Sequence, residues 1–519
     1  MASTSAFAYS SASELYEHID AQFRLSDNQL VELTKTFLHE FKLGLEDYGH
    51  AMAMIPTFVT GVPDGTEKGT FLALDLGGTN LRVCEVVLNG DKTFSLRQQK
   101  YRVTEALKTG EAIALFDYLA DSVDAFLTTE ASVDYTSQTD KPADVIHLGL
   151  TFSFPVEQTA LDSGKILTWT KGFSARNAIG NDVVKLLQDA FDRKHMHVKC
   201  VALVNDTVGA LLSRAYQSGG CILGAIFGTG TNGAYVEDIA KIKKLQGTPV
   251  ASKGGYMVVN TEWGAFNNSR SHLPSTPSDN ALDRLSINPT FQAFEKFISG
   301  MYLGEIARGI IVSLIDASPK PLLFNGKSTP SINNHYGIDT SFMSNVETAW
   351  LGKDACPGHI RPPFTELDGS TLSSNIQTRL EAIKQVIVKD LGLKPDQISL
   401  KDAAIIRWVC GLVGRRAAQL SGVAVATVLV QTGRAVLPGE TGKGLKDPND
   451  KILVGVDGSL IEHYPGFEVT LRESLRYLVG QDVESRVDIG LAKDGEWGWG
   501  GPMCFASPQA EVIAIRYQD

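Results

Sequence analysis

The sequence predicts an α/β protein in which two similar lobes enclose a central cleft. Strand-like apolar runs alternate with helical stretches along the chain, which is typical of that class. Two segments, LALDLGGTNLRV at 72–83 and LGAIFGTGTNGAYV at 223–236, repeat one pattern of a strand, a turn with Gly, Thr and Asn, and a second strand. Such a repeat indicates a duplicated lobe, with one turn from each copy facing the cleft. The length of 519 residues is ample for two large lobes.

The individual elements follow in chain order. Apolar residues at helical spacing predict two helices within residues 12–50, and Ser26 and Asp27 predict the cap between them. The run TFLALDLGGTNLRVCEVVL at 70–88 predicts the first strand, turn and strand. The remaining predicted elements are a helix at 107–128, a strand at 145–155, a helix at 179–193, a strand at 199–204, a helix that begins within VNDTVG, the second strand, turn and strand at 221–238, an irregular insert at 350–372 and a buried helix across 405–430.

Composition and charge narrow the function classes. The formal net charge of −11 disfavours a nucleic-acid or anionic-membrane partner. The six cysteines show no CxxC or CxxH spacing, so we expect reduced thiols and neither a disulfide framework nor a zinc site. The N-terminus lacks the regions of a secretory signal, and no window holds the roughly 20 apolar residues that span a bilayer. Arg415 and Arg416 interrupt the longest apolar stretch, which predicts a buried helix, and we expect a cytoplasmic protein.

The turn DLGGTN, Asp75 to Asn80, has the chemistry of a phosphate cradle. Gly77 and Gly78 let the backbone approach a ligand, and exposed N–H groups beside a Thr hydroxyl bind anions. Arg82 can add positive charge, and Asp75 can hold Mg²⁺ through water. A plain tight β-turn explains the same residues, but the matching turn at 227–233 favours a nucleotide held across a cleft. There is no Walker A loop and no GxGxxG that opens a helix.

Asp206, in LVNDTVG at 203–209, lies where a strand passes into a helix. A carboxylate at such a place, near a cleft, can accept a proton from a substrate hydroxyl. The alternative is that Asp206 is simply the N-cap of that helix, which is the common reason for Asp at a strand-to-helix junction.

Short segments bounded by turns carry the groups that a sugar site needs. Each sugar hydroxyl both donates and accepts a hydrogen bond, so a mixture of hydroxyl, amide, ammonium and carboxylate groups is expected around it. The candidates with these groups are Ser153, Thr170, Lys171, Asn205, Asn232, Glu262 and Glu295.

Taken together, these segments are similar to the hexokinase family from about residue 55 to 495. The similarity rests on FLALDLGGTNLRV, LGLTFSFPVEQ, LTWTKGF, ALVNDTVGALLSRAY, GAIFGTGTNGAYVE, VNTEWGAF, FEKFISGMYLGEI and VGVDGSLIEHYPGF. The details FSFPVEQT, GTGTNGAYVE and IPTFVTGVPDGTEKG resemble the fungal glucokinase branch of that family.

The resemblance implies an actin-like ATPase fold, built from duplicated ribonuclease-H-like domains around a central cleft. Residues 1–61 and 205–493 are then expected in a large lobe, and residues 62–204 in a small lobe. It also implies ATP-dependent phosphorylation of glucose, or another hexose, at its 6-hydroxyl, the first step of glycolysis. MgATP, glucose and other hexoses are the expected partners, and we expect a monomer or weak homodimer without nucleic-acid or membrane binding.

The resemblance also assigns roles to individual residues. Asp206 is the implied general base, and Lys171 is implied to offset charge on the transferring group. Sugar binding is implied for Ser153, Phe154, Pro155, Thr170, Lys171, Asn205, Asp206, Asn232, Glu262 and Glu295. Nucleotide binding is implied for Asp75, Gly77, Gly78, Thr79, Asn80, Arg82, Gly228, Thr229, Gly230, Asp457, Gly458 and Ser459. No residue is implied as a direct metal ligand, and Asp75 would reach Mg²⁺ through water.

The segment 494–519 departs from the family pattern. The family continues after AKDG with a sequence like SGxGAAL and an apolar helix, whereas this chain reads EWGWGGPMCFAS at 496–507. Trp is encoded only by TGG, so a shift of one base turns each Trp–Gly step into GGG, a glycine codon, and the stretch can then read SGVGAALCALQA. We therefore predict a frameshifted tail in place of a small-lobe helix, with weaker ATP binding, a less stable small lobe, or both. A naturally divergent tail is the alternative.

Two other function classes fit parts of the sequence. A non-catalytic glucose sensor on the same fold would be favoured by loss of the base, but Asp206 is present. An actin-like filament or chaperone ATPase would keep the nucleotide turns but would lack FSFP, WTKGF and NTEWG, all of which are present.

Overall fold

The computed structural model describes residues 11–77, 80–129, 145–169, 172–351, 372–440 and 445–492, without the side chain of Asn80. Its helices are α1 Ala12–Phe23, α2 Asp27–Glu46, α3 Glu105–Thr109, α4 Ala112–Thr129, α5 Val183–Arg193, α6 Asp206–Ser218, α7 Pro249–Lys253, α8 Pro277–Leu285, α9 Ala293–Ile298, α10 Gly300–Ile315, α11 Pro330–Asn333, α12 Thr340–Leu351, α13 Ser374–Leu391, α14 Leu400–Gln431, α15 Ser459–His463, α16 Phe467–Val479 and α17 Gln481–Glu484.

The strands are β1 Ile55–Pro56, β2 Lys68–Leu76, β3 Asn80–Asn89, β4 Phe94–Arg102, β5 Ile146–Phe152, β6 Val156–Ala160, β7 Ser163–Ile166, β8 Val198–Val204, β9 Leu223–Phe227, β10 Thr231–Asp238, β11 Tyr256–Asn260, β12 Ile452–Asp457 and β13 Val487–Leu491. They form a five-stranded sheet in the order β4-β3-β2-β5-β8, a six-stranded sheet in the order β1-β11-β10-β9-β12-β13, and the hairpin β6-β7.

The two large sheets share one local design. In the five-stranded sheet β2 pairs with β3 antiparallel and with β5 parallel. In the six-stranded sheet β9 pairs with β10 antiparallel and with β12 parallel. The two hairpins are those that the sequence repeat predicts, and each connects to a parallel neighbour in the same way. The α/β class and the duplicated arrangement are therefore confirmed, while the lobe boundaries at 61/62 and 204/205 stay predictions.

The two helices predicted within 12–50 are confirmed as α1 and α2. Ser26 is the N-cap of α2, and its hydroxyl accepts a hydrogen bond from the Gln29 N–H, while the Gln29 side chain accepts one from the Ser26 N–H. This capping box satisfies donors that a helix start otherwise leaves unpaired. Of the predicted insert at 350–372, residues 352–371 lie outside the described residues.

The predicted buried helix across 405–430 is confirmed as the central part of α14. Arg416 is fully buried in it and binds Asp279 of α8 through two hydrogen bonds of 2.7 and 2.8 Å. The rings of Phe23 and Phe297 lie 4.4 and 4.6 Å from its guanidinium carbon. The neighbouring Arg415 is exposed. The Arg416 guanidinium therefore connects α14 to α1, α8 and α9 inside the core. In the described residues no helix is long and apolar enough to cross a membrane.

Arg416→Ala is expected to destabilise the protein by about 3–5 kcal/mol, because it leaves the buried carboxylate of Asp279 without its cation. Arg415→Ala is the matched control, since it removes the same side chain from the same helix at an exposed position. Urea unfolding followed by circular dichroism measures both. Equal midpoints for the two variants would contradict the structural role given to Arg416.

Candidate active site

The ends of two neighbouring parallel strands bring the first predicted site residues together. β5 and β8 run parallel, so the residues after each strand meet at one edge of the sheet. Ser153, Phe154 and Pro155 follow β5, and Asn205 and Asp206 follow β8. Beside them lies a pocket with about 290 Å³ of empty space, part of it open to solvent. Phe154, Asn205 and Asn260 are among its lining residues.

The cap of α6 is Asn205, so the alternative reading of Asp206 as a simple N-cap is wrong. The Asn205 Oδ1 accepts hydrogen bonds from the Thr207 N–H at 3.0 Å and from the Thr207 hydroxyl at 2.7 Å. Asp206 is the first helical residue and is half-buried. Its Oδ1 accepts the Thr207 N–H at 2.9 Å. With the capping role filled by Asn205, the Asp206 carboxylate is available at the helix start for chemistry.

Side-chain amides and one carboxylate form a connected cluster beside Asp206. The Asn232 Nδ2 lies 2.8 Å from the Asn260 Oδ1, 3.2 Å from the Glu262 Oε1 and 3.4 Å from the Asn205 Oδ1. The Asn260 Nδ2 also donates to the Glu262 Oε1, at 2.7 Å. This cluster offers donors and acceptors close together, which is the chemistry that sugar hydroxyls require.

The backbone around Glu262 holds the cluster in place at a conformational cost. Glu262 has left-handed dihedral angles of φ 54° and ψ 43°, which are unfavourable for a residue with a Cβ. The next residue, Trp263, is fully buried, and its indole N–H donates to the Thr231 hydroxyl at 3.0 Å. A Cβ on Gly233 would lie 2.2 Å from the Trp263 ring, so only glycine fits there. The tight packing of Trp263 explains how the unusual backbone persists.

Glu295, in α9, connects this cluster to the second Gly-Thr turn. Its Oε2 accepts the Thr231 N–H at 3.1 Å, and a Cβ on Gly230 would lie 2.8 Å from the same oxygen. The next residue, Lys296, is buried and donates to Asp283 at 2.8 Å. Burial lowers the pKa of Lys296, which the bond to Asp283 partly offsets. This ion pair anchors α9 and therefore fixes the position of Glu295.

The first phosphate turn is only partly within the described residues. Asp75 and Arg82 face each other across β2 and β3, both are buried, and the Arg82 Nη1 donates to the Asp75 Oδ2 at 2.8 Å. The guanidinium that the sequence offers to a phosphate therefore also binds Asp75. Gly77 lies at the end of β2, whereas Gly78, Thr79 and the Asn80 side chain lie outside the described residues.

The second phosphate turn and the predicted adenosine turn are in direct contact. Gly228 and Gly230 close a turn through a backbone hydrogen bond of 3.0 Å, and the exposed Thr229 lies between them. A Cβ on Gly458, whose φ is +116°, would lie 2.5 Å from the Phe227 carbonyl carbon. The Gly300 N–H at the start of α10 donates to the Gly228 oxygen at 2.7 Å. Asp457, Gly458 and Ser459 thus form one surface with the turn at 228–230, at the carboxyl ends of parallel strands.

Two predicted sugar residues cannot be placed, and one residue of the amide cluster was missed. Thr170 and Lys171 lie outside the described residues, although Trp169 before them packs against Phe154. Asn260 joins the amide cluster, and the segment VNTEWG, which supplied Glu262, contains it.

Within the described part of the chain, no group of three or more His, Cys, Asp or Glu side chains can hold a metal ion. The carboxylates at the strand ends, Asp75 and Asp457, are nevertheless oxygen donors of the kind that Mg²⁺ prefers. Mg²⁺ commonly keeps several waters and binds substrate phosphates through only one or two carboxylates. The residues present therefore fit a cation that arrives with a nucleotide.

Comparisons with known proteins agree over most of the chain. Two family models described as hexokinase match residues 15–216, and residues 222–355 with 359–506. A glucokinase of Aspergillus niger is 39% identical over 483 residues, which cover 88% of this chain and 90% of that protein. Glucokinase-1 of Saccharomyces cerevisiae is 35% identical over 527 residues, with coverages of 94% and 96%. A solved structure of a Schistosoma mansoni hexokinase complexed with glucose has a TM-score of 0.75 and 32% identity, and covers 97% of this chain and 98% of its own.

Proposed function

The chain belongs to the hexokinase family, and from that membership we propose that it is a glucokinase-type enzyme, which transfers the γ-phosphoryl group of ATP to the 6-hydroxyl of glucose. The observation that supports this most directly is the amide and carboxylate cluster beside Asp206. It combines a site for a polyhydroxylated substrate with a carboxylate that can act as a base. The resemblance of the described fold to a glucose-bound hexokinase agrees with this reading.

Asp206 is proposed as the general base. Its carboxylate accepts the proton of the 6-hydroxyl as the oxygen attacks phosphorus, a contribution that is typically worth about 10²–10⁴-fold in rate. Asn205 caps α6 and so holds Asp206 at the first helical position. Asn232, Asn260 and Glu262 hold the sugar hydroxyls, and Glu295 and Ser153 complete the proposed sugar site. Lys171 is proposed to offset charge on the transferring group, with Thr170 beside it in the sugar site.

The two glycine turns are proposed to hold the nucleotide. Phosphoryl transfer depends mainly on positioning and charge stabilisation, and backbone N–H groups in turns provide both. We assign the phosphates to the turns 75–82 and 228–230 and the adenosine to Asp457, Gly458 and Ser459. Mg²⁺, when bound, neutralises charge on the phosphates, and Asp75 is its nearest proposed protein partner, through water.

Other properties follow from the same proposal. Residues 1–61 with 205–493, and residues 62–204, are proposed as the large and small lobes, because the six-stranded and five-stranded sheets draw on these ranges respectively. The described cysteines are free and buried, which supports a cytoplasmic location. No observation favours the alternative of a non-catalytic glucose sensor.

The proposed activity is tested by ATP-dependent formation of glucose 6-phosphate. The chain is compared with a version in which residues from Glu496 are replaced by SGVGAALCALQA. We expect the rewritten chain to have a lower KM for ATP, by about tenfold, because a turn that meets a nucleotide at a helix start is restored. The second family match extends to residue 506, and the altered reading frame stays a prediction.

The outcomes separate the two parts of this proposal. Equal KM values for ATP in the two versions would show that the terminal segment is dispensable, and the account of a damaged end would be wrong. If both versions bound glucose but neither turned it over, the result would instead favour the alternative of a non-catalytic glucose sensor. Calorimetric titration with glucose distinguishes that case from a protein that has failed to fold.

A further inference from the structure

We propose that Gln158 is a positioning residue, which holds together the two places where the chain passes between the sheets and thereby aligns the sugar with Asp206. Along the described chain, the backbone passes from the six-stranded to the five-stranded sheet between β1 and β2, and returns between β8 and β9. The inference rests on the proposed function, because it concerns the same reaction.

The side chain of Gln158 contacts the start of the first passage and the strand β8, which leads into the second. It projects from β6, is 8% exposed, and lines the pocket beside the active site. Its Nε2 lies 3.0 Å from the Thr57 carbonyl oxygen, just after β1, and 2.8 Å from the Leu203 carbonyl oxygen, in β8. An amide NH₂ has two hydrogens, so one group can donate to both carbonyls at once.

Each of the two carbonyls belongs to a segment that leads to the site. Thr57 is buried, and its N–H and hydroxyl both donate to the Val258 oxygen in β11, the strand that ends in Asn260. Leu203 lies two residues before Asn205 and three before Asp206. Gln158 therefore connects the strand that ends in the amide cluster with the strand that ends in the proposed base.

The hairpin that carries Gln158 is itself part of the proposed sugar site. β6 follows Ser153 to Pro155 directly, and the Leu167 N–H after β7 donates to the Pro155 oxygen at 3.0 Å, just before Thr170 and Lys171. Loss of the two donors at Gln158 would remove the side-chain link from this hairpin to Thr57 and weaken its attachment to β8, where the Leu203 N–H bond to the Leu161 oxygen, at 2.8 Å, remains. The cluster of Asn232, Asn260 and Glu262 lies in or next to the six-stranded sheet and keeps its own hydrogen bonds.

Because the hairpin loses contacts while the amide cluster keeps its own, we can predict which constant a Gln158 substitution changes. Glucose affinity depends mainly on the cluster that stays intact, whereas turnover requires the hairpin and Asp206 to be aligned on the same hydroxyl. A misplacement of about 1 Å can cost roughly 10²-fold in rate. We therefore expect kcat to fall while the Kd for glucose changes little.

The test uses Gln158→Met, which removes the donors at similar volume, and Gln158→Glu, which also places a carboxylate against two carbonyls. Gln158→Asn, which withdraws the amide by one methylene, is the milder third variant. Gln188→Met is the matched control, because Gln188 bonds to the Val198 oxygen and the Cys200 N–H at the other end of β8. It removes a half-buried amide of α5 that bonds to the same strand, β8, far from the proposed base.

We expect kcat to fall by at least about tenfold in the Gln158 variants, with the calorimetric Kd for glucose within about threefold of the unmodified chain. Gln188→Met should lower the melting temperature while leaving kcat within about twofold. A similar loss of kcat in Gln188→Met, or unchanged kcat in all the Gln158 variants, would overturn the proposal.

Hydrogen exchange without ligands provides a second readout, which does not depend on activity. Faster amide exchange across residues 156–166 and 57–59 in Gln158→Met, but not in Gln188→Met, is expected. Unchanged exchange there would overturn the proposed coupling even if kcat fell. An unmodified chain that shows no turnover would contradict the proposed function, and the exchange result would then decide by itself whether Gln158 couples the two passages.

Discussion

Asp206→Asn is expected to lower kcat for glucose phosphorylation by about 10²–10⁴-fold, because the amide cannot accept the proton of the sugar hydroxyl. The substitution is nearly isosteric, and its oxygen can still accept the Thr207 N–H that Asp206 accepts at 2.9 Å. Asn205, not Asp206, caps the helix, so α6 keeps its start. The loss should therefore appear in turnover and not in folding.

The measurement is steady-state formation of glucose 6-phosphate, with calorimetric titration of glucose on the same samples. Asp206→Ala is measured as well, because slow deamidation of the substituted amide would restore the aspartate, whereas alanine cannot be converted. Asp189→Asn is the control for the chemical change itself, since Asp189 is exposed on α5. If Asp206→Asn retained more than about a tenth of kcat, the base would have to be another group.

Gly458→Ala is expected to raise the KM for ATP by about tenfold to a hundredfold, without a comparable effect on glucose binding. The added Cβ would lie 2.5 Å from the Phe227 carbonyl carbon and 2.7 Å from the Gly228 N. Both neighbours are backbone atoms, so the phosphate turn and the adenosine turn must move apart to make room. A shift between two surfaces of the proposed nucleotide site would weaken every contact that spans them, and each factor of ten in affinity corresponds to about 1.4 kcal/mol.

Gly466→Ala is the matched control for this prediction. Gly466 also has a positive φ, +77°, but a Cβ there would meet nothing within 4 Å. It therefore carries the left-handed strain of about 1–2 kcal/mol without the clash. Kinetic titration with ATP at saturating glucose compares the two variants. Equal KM values for ATP would show that the contact between the two turns is not part of the nucleotide site.

Short stretches of sequence were enough to predict much of the local structure. The helices α1 and α2, the cap at Ser26 and the two hairpins with their glycine turns all depend on residues close together in the chain. Hydrophobic periodicity and capping chemistry act over such short distances. The family could be named for a related reason, since its motifs are short runs around individual turns and strand ends.

Contacts between distant residues could not be read from those patterns. Asp206 was open to two readings until the structure showed Asn205 as the cap, and nothing in the sequence indicated that Arg82, proposed for a phosphate, also binds Asp75. Arg416 broke an apolar pattern without any sign that Asp279, 137 positions away, would bind it. In each case the partner depends on how separate elements pack, which periodicity does not record.

The sequence by itself determined the α/β class, the family and nearly all the chemical groups of the proposed site, because each of these depends on the identity of residues within one short segment. Only the tertiary structure decided which groups converge. Asn260 joined the amide cluster, and Gln158 became a link between Thr57 and Leu203, 101 and 45 positions away. The physical reason is that strand pairing, and the passage of the chain from one sheet to the other, bring distant side chains together. No local sequence preference specifies that geometry.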